Sequence, residues 1–370
     1  MCIKELTNGC IMKLLRLTVT VNSTSAPYNQ FSLGFKNNIN QTICSLFSHD
    51  IKIDKSIEGC HCGGSILAMV SMIRKLVSKN DYDIIHIHSG LIGVIFLFAL
   101  LPFNLALTKK TVFTLHNSWD VLRFRNKILV FIAMLTSREV CACSTSSLHS
   151  IPRFVNYFID KKVKAVVNGF DHQRIERVKV DKKSIIHFDK NSKIKIVYIG
   201  ALNNTKNQIA LLTVLKEFRM DGELIFLGDG SNKDFLKLFS KDIPSSLKIT
   251  FKGRVARNVA IEHMLEADVF ISLSKGEGMP IAVLESMYAG CFMVLSKIPP
   301  HGEILPPKEG CFFVEPSNKD EIINALNYIV NNIKVLKNDN ANSIEHAANN
   351  FSLEAMLDKY LKIYTTLSSK

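Results

Sequence analysis

The chain alternates strand-like apolar runs with helical stretches, and it does so in two series. "KLLRLTVTV" (13–21), "DIIHIHS" (83–89), "TVFTLHN" (111–117) and "EVCACS" (139–144) have the length and composition of buried strands. Between the first two, "GGSILAMVSMIRKLVSKN" (63–80) sets Ile66, Met69, Val70, Ile73 and Val77 at helical spacing. Strands separated by helices pair in parallel, because a long crossover is needed to return the chain to the same edge. The second series runs through "KIKIVYIG" (193–200), "GELIFLGDG" (222–230), "LKITFKG" (247–253), "DVFISLS" (268–274) and "CFMVLS" (291–296). Helical patterns separate these runs, and two more, "KDEIINALNYIVNNI" and "LEAMLDKYLKIYTTL", close the chain. The pattern predicts an α/β protein of two doubly wound domains in tandem, facing a central cleft, with ligands outside the carboxyl ends of the strands. The 370 residues agree with two domains. The break falls near "KAVVNGFD" (164–171), and the polar segment "HQRIERVKVDKKSIIHFDKNSK" (172–193) reads as a linker.

One stretch tests whether the chain is globular throughout. "LIGVIFLFALLPFNLAL" (91–107) approaches the length of a membrane span, yet it contains Pro102 and Asn104 and lies between two strands. A crossover helix buried on a sheet is the favoured reading, and a span is the alternative. Nine cysteines, an odd number with only Cys60–Cys62 and Cys141–Cys143 closely spaced, and no signal peptide predict reduced thiols in a cytosolic protein. "CHC" lacks the spacing of a structural zinc site, so no metal is expected.

The net charge of +13 is lopsided. Residues 1–180 hold 22 Lys and Arg against 11 Asp and Glu, whereas residues 181–370 hold 24 against 22. A basic first half suits an anionic membrane surface or an anionic substrate, or is simply a solvated lysine-rich face. Zinc-finger spacing, an RNP-like aromatic strand and a basic heptad helix are all missing, so nucleic acid is not an expected partner.

The segment "SKGEGMPIAVLESMYAG" (274–290) carries the chemistry. Pro280 suits the first turn of a helix, and Gly290 suits the position just past its end. The start of such a helix presents free N–H groups and about half a positive charge, which attracts phosphate. Gly276 and Gly278 allow close backbone approach. Glu285, five residues in, stands roughly 7.5 Å along the axis at 1.5 Å per residue. Glu277 precedes the helix. Two carboxylates around an anion site suit a phosphate ligand rich in hydroxyls.

These residues resemble the E-x7-E signature of retaining family-4 glycosyltransferases, which have the GT-B fold of two Rossmann-like domains. "VYIGALNNTKNQ", "LIFLGDGS", "ITFKGRV", "DIIHIHSG", "TVFTLHNS" and "NNFSLEAMLDKYLKIYTTL" resemble further family segments in the same order, from about residue 83 to 367. The resemblance implies an acceptor-side domain over 1–170, a nucleotide-sugar domain over 171–350, and a helix over 351–370 crossing back to the first. It implies that Lys206 pairs with the donor diphosphate, that the backbone around Gly278, Met279 and Pro280 cradles it, and that Glu285 holds the ribose. Glu277 would contact the transferred sugar, and His116 would lie near it, stabilising charge or orienting hydroxyls. His86 and His88 share a strand face and suit core or cleft-lining positions. No metal or resident cofactor is implied. The partners implied are a nucleotide-sugar donor and a glycan or polyprenyl-linked acceptor, at the inner face of the cytoplasmic membrane, in bacterial polysaccharide or lipopolysaccharide synthesis.

Two departures stand out. Ala201 occupies the place of the family's phosphate-binding arginine, and the loop after the first strand offers only Gly34 where the family has two glycines. They motivate the alternative of an inactive, glycosyltransferase-like scaffold subunit, against which stands the retention of both glutamates. A dinucleotide oxidoreductase is disfavoured because no G-x-G-x-x-G follows the first strand.

Overall fold

The nine strand-like runs all become strands, and both sheets are parallel throughout. The computed structural model describes residues 12–101, 103–159, 163–182, 193–304, 310–336 and 341–369. The chain divides into two compact units, Met1–Gly169 with Leu353–Lys370, and Phe170–Ser352.

The first unit contains β1 (Lys13–Thr18), β2 (Asn40–Ser45), β3 (Ile57–His61), α1 (Ile66–Lys79), β4 (Ile84–Ile87) and α2 (Gly90–Leu100). It continues with β5 (Thr111–Leu115), α3 (Phe124–Thr136), β6 (Glu139–Ala142), α4 (Thr145–His149), α5 (Arg153–Phe158) and β7 (Val163–Ala165). The sheet order is β3-β2-β1-β4-β5-β6-β7. Side chains along β1 alternate between faces: Leu15 and Leu17 join the core under α1–α3, and Leu14 joins the opposite core.

The apolar stretch at 91–107 is resolved in favour of the crossover. Helix α2 joins parallel neighbours β4 and β5, and its 11 residues span only about 16 Å, against a hydrocarbon core of about 30 Å. No helix among the described residues is long and apolar enough to cross a membrane. Glycines let α2 lie close on α3: a Cβ on Gly93 would sit 2.5 Å from that of Ala133. The described cysteines are all free thiols.

The second unit corrects the linker reading. Residues 172–182 form α6 (His172–Lys182), capped by Asp171, whose Oδ1 accepts from the Arg174 N–H at 3.0 Å. Its apolar stripe is only Ile175 and Val178, both buried, which is too short to show as a period in a polar segment. The rest of the expected linker, 183–192, lies outside the described residues. Then follow β8 (Ile194–Ile199), α7 (Gln208–Leu215), β9 (Gly222–Leu227), α8 (Lys233–Phe239), β10 (Leu247–Gly253) and α9 (Arg257–Glu266). They lead to β11 (Val269–Ser272), α10 (Ile281–Tyr288), β12 (Phe292–Ser296), α11 (Pro299–Ile304), β13 (Cys311–Val314), α12 (Lys319–Leu336) and α13 (Ala341–Asn350). The order is β10-β9-β8-β11-β12-β13, so this sheet also reverses direction beside its first strand.

The last helix, α14 (Leu353–Ser368), belongs to the first unit. It buries Met356, Tyr360 and Tyr364 with Leu14, Phe31, Ile84 and Val112.

The turns after β8 and β9 touch through glycine. Gly228 has φ +138°, and a Cβ there would stand 2.0 Å from the Gly200 carbonyl oxygen. We expect Gly228→Ala to lower stability by about 2–3 kcal/mol in urea unfolding. Gly302→Ala, where a Cβ would meet nothing within 4 Å, should change it little.

Candidate active site

Strands β8 and β11 are neighbours, and the loops that leave them hold the motif residues of the second unit. After β8, Gly200 leaves the space that the Lys206 stem occupies, 3.3 Å from where a Cβ would be. Asn207 ends this loop in the left-handed region at φ +55° and donates from Nδ2 to the Leu273 carbonyl at 3.1 Å. The Tyr198 hydroxyl donates to the Lys206 carbonyl and accepts from the Leu273 N–H at 2.9 Å. The Lys275 N–H reaches the Thr205 carbonyl at 2.8 Å. The two loops are thus laced together by backbone and buried polar groups.

Across them, Lys206 Nζ donates to Glu277 Oε1 at 2.6 Å. Glu277 is only 8% exposed. Burial pushes its carboxyl up, but the charge and hydrogen bond of Lys206, with help from Ser274, hold it below the ordinary value. Gly278, Met279 and Pro280 are all buried and lead straight into α10. Pro280 stands at the N-cap, one position earlier than expected, and its carbonyl accepts from the Val283 N–H at 3.1 Å. Pro280 makes no side-chain hydrogen bond to cap this helix start. Gly290, at φ +87°, follows the end of α10, as its position suggested.

Glu285 is 3% exposed, so it is no solvated helix carboxylate. Arg257, the first residue of α9, donates to its Oε1 from Nε at 3.0 Å and again from Nη2. Oε2 is buried with no hydrogen-bond partner among the described residues. Burial raises the Glu285 carboxyl, and Arg257 and then Arg174 only partly counter it. Arg257 and Arg174 were not read from the sequence. The signal was there in principle: a buried glutamate calls for a cation, and "ITFKGRVAR" supplies one at the next helix start.

His301 in α11 was missed as well. It is buried, its Nδ1 lies 3.0 Å from the Ser296 carbonyl and 3.1 Å from Ser296 Oγ, and Nε2 has no partner among the described residues. Burial pushes it down to about 4, against the opposing charge of Glu277.

His116 belongs to the first unit, just past β5. Its Nε2 lies 2.9 Å from His88 Nδ1, with the rings stacked at 5.2 Å. His86 and His88 are buried beside Arg16 of β1, whose register partner is His86. Burial, joined by the Arg16 charge, pushes His116 down to about 4. His88, Gly90, His116, Asn117 and Asn126 are among the residues lining a cavity of about 260 Å³. Among the described residues no group of His, Cys, Asp or Glu is arranged to hold a metal ion.

Residues 59–174 match the model of Glycosyltransferase Family 4, and residues 180–348 match that of the Glycosyl transferases group 1. The chain belongs to the family-4 glycosyltransferases. This glycosyltransferase is 26% identical over 305 residues to the UDP-Gal:alpha-D-GlcNAc-diphosphoundecaprenol alpha-1,3-galactosyltransferase of Escherichia coli, covering 78% of this chain and 77% of that one. It is 25% identical over 242 residues to the capsular polysaccharide biosynthesis glycosyltransferase CapH of Staphylococcus aureus, covering 62% and 64%. Among solved structures, sucrose-phosphate synthase from Thermosynechococcus elongatus aligns with a TM-score of 0.79 at 13% identity, over 97% of this chain and 99% of that one. Anabaena HepE in complex with UDP aligns at 0.73 and 17%, over 97% and 100%. At such identities the likeness speaks to the fold, which is GT-B.

The Lys206–Glu277 pair makes a testable claim about the glycosyltransferase. Breaking a buried pair strands a charge, so Lys206→Met should cost about 3 kcal/mol at pH 7. In the wild type, the depressed Glu277 carboxyl contributes stability above its ordinary value of 4.5 that is lost as pH falls through the folded value. In Lys206→Met the deficit should shrink at pH 4, because a buried Glu277 deprived of its cation protonates more readily. Urea unfolding at the two pH values checks it, and a deficit independent of pH would mean that the pair is not the cause.

Proposed function

We propose that this chain moves a hexose, with retention, from a nucleoside-diphosphate sugar to a glycan or polyprenyl-diphosphate-linked acceptor in cell-surface polysaccharide synthesis. One observation carries the donor reading: Glu285 is a buried carboxylate with one oxygen on Arg257 and the other without a hydrogen-bond partner among the described residues, five residues into a helix whose N-cap, Pro280, makes no side-chain hydrogen bond. The bare oxygen suits a ribose hydroxyl, and the helix start suits the diphosphate. Lys206 then serves the phosphates or releases Glu277 to the transferred sugar, and their charge-assisted bond keeps both preorganised until a donor arrives. Catalysis is positioning plus dispersal of charge on the departing diphosphate. The relatives favour UDP and a lipid-linked acceptor, since the Escherichia coli protein's name states both and HepE was solved with UDP.

The first unit carries a surface suited to the membrane that holds such acceptors. Phe124 and Ile128 of α3 and Phe154, Tyr157 and Phe158 of α5 are exposed, and the two helices meet where Phe131 packs on Phe158. Arg123, Arg125 and Arg153 are exposed among them. Aromatic side chains ringed by arginine fit an anionic bilayer, each basic residue adding about 1 kcal/mol.

A thermal-shift series with UDP-, GDP-, ADP- and CMP-sugars tests the donor site. One diphosphate class should raise the melting temperature, by about 2.7 kcal/mol of stabilisation at a hundredfold excess over Kd, and Glu285→Ala should lose that rise. An equal rise in both proteins removes Glu285 from the ribose. For the surface, the chain should sediment with phosphatidylglycerol vesicles and not with phosphatidylcholine ones. Phe124→Ser with Tyr157→Ser, or high salt, should release it, and sedimentation unaffected by either would sink the docking reading.

A further inference from the structure

Arg16 is fully buried, and no carboxylate among the described residues answers its charge. Its Nη1 lies 3.1 Å from His86 Nδ1 and 3.0 Å from His88 Nε2, and Nη2 donates to Gln41 Oε1 at 3.2 Å. A guanidinium stays charged and has only donors, so each ring nitrogen that faces it must accept. A neutral imidazole has one proton to place. With the guanidinium and the Tyr364 hydroxyl, 2.6 Å away, both at His86 Nδ1, the proton of His86 stands on Nε2 and is donated to Thr114 Oγ1 at 2.7 Å. His88 carries its proton on Nδ1, which points at His116 Nε2 2.9 Å away. His116 Nε2 must then accept, and the remaining proton of His116 stands on Nδ1. Nδ1 has no partner among the described residues, and His116 is part-exposed on the wall of the 260 Å³ cavity.

We propose that Arg16 is a positioning residue: acting through His88, it fixes His116 as an Nδ1–H donor, offered to an oxygen of a sugar in the cavity that His116 lines. The role of the sugar rests on the glycosyltransferase reading; the proton placement does not. Two rings in series, His88 and His116, transmit the constraint because each has one proton to place, and His86 answers Arg16 on a branch of its own. Protonating His88 would set an N–H against the guanidinium, so the series cannot relax by taking up a second proton. His116 then offers a bond to oxygen and has no lone pair free to act as a base.

The test reads the protons directly. Long-range ¹H–¹⁵N spectra of the full chain labelled in histidine distinguish protonated from bare ring nitrogens, with His116→Gln assigning the His116 signals. Without any nucleotide sugar, the expected pattern is a proton on Nε2 of His86 and on Nδ1 of both His88 and His116. Arg16→Lys should keep it, and Arg16→Met should move His116 toward the Nε2–H form. A wild-type His116 protonated on Nε2 overturns the proposal, and so does an Arg16→Met spectrum identical to the wild type. Should Arg16→Met fail to fold, His88→Phe cuts the series with Arg16 in place, and His116 must then lose its Nδ1 preference. Adding UDP-galactose or UDP-glucose, whichever gives a thermal shift, should displace the His116 Nδ1 signal. A bound sugar that leaves this signal unmoved overturns the donor role. Absence of any thermal shift counts against the donor reading of the protein and leaves the proton pattern to be judged by itself.

Discussion

Parallel pairing is the constraint on which the rest depends. When every strand of a sheet runs the same way, all the loops leaving strand ends collect along one edge, whatever their distance in sequence. In the second unit that edge gathers Lys206 after β8, Glu277 after β11 and His301 after β12, from positions nearly a hundred residues apart. In the first it gathers His88 after β4 and His116 after β5. The chemistry of each unit is thus a by-product of strand direction, and the apolar runs that build the strands determine which polar residues meet.

Each unit then handles buried charge differently. The second pairs acids with cations, Glu277 with Lys206 and Glu285 with Arg257, and these bonds offset the cost of dehydrating the carboxylates. The first buries a cation with no acid beside it among the described residues. Arg16 rests on His86, His88 and Gln41, all neutral acceptors, and a guanidinium tolerates this better than an ammonium because it is more weakly hydrated. The partly satisfied Glu285 and the uncountered Arg16 are two charged groups at which the core, among the described residues, departs from full compensation.

Most of the architecture was legible in the sequence because strand length, β-branched content and helical period are local properties. The residues of "SKGEGMPIAVLE" were legible for another reason: proline, glycine and acid at fixed offsets specify a helix start and what stands before it. Helix α6 was not legible, because two buried apolar residues in a charged segment leave no period to detect. Arg16, Arg257, Arg174 and His301 were not legible either. Their significance lies in what they touch across the sheet, and pairing register is a tertiary fact: Arg16 sits beside His86 only because β1 and β4 align 70 residues apart. Lys206 was singled out by its motif, but its bond to Glu277 was not legible.

Helix α14 sets the order in which this protein can be completed. One face of the first sheet is covered by Met356, Tyr360 and Tyr364, residues that leave the ribosome only after the whole second unit has been synthesised. Until then Leu14, Phe31, Ile84 and Val112 lack their cover, and Tyr360 and Tyr364 have not reached Thr114 and His86. The unit that begins first therefore finishes last, so the nascent chain carries an open apolar sheet face through much of its translation, a natural substrate for a holding chaperone.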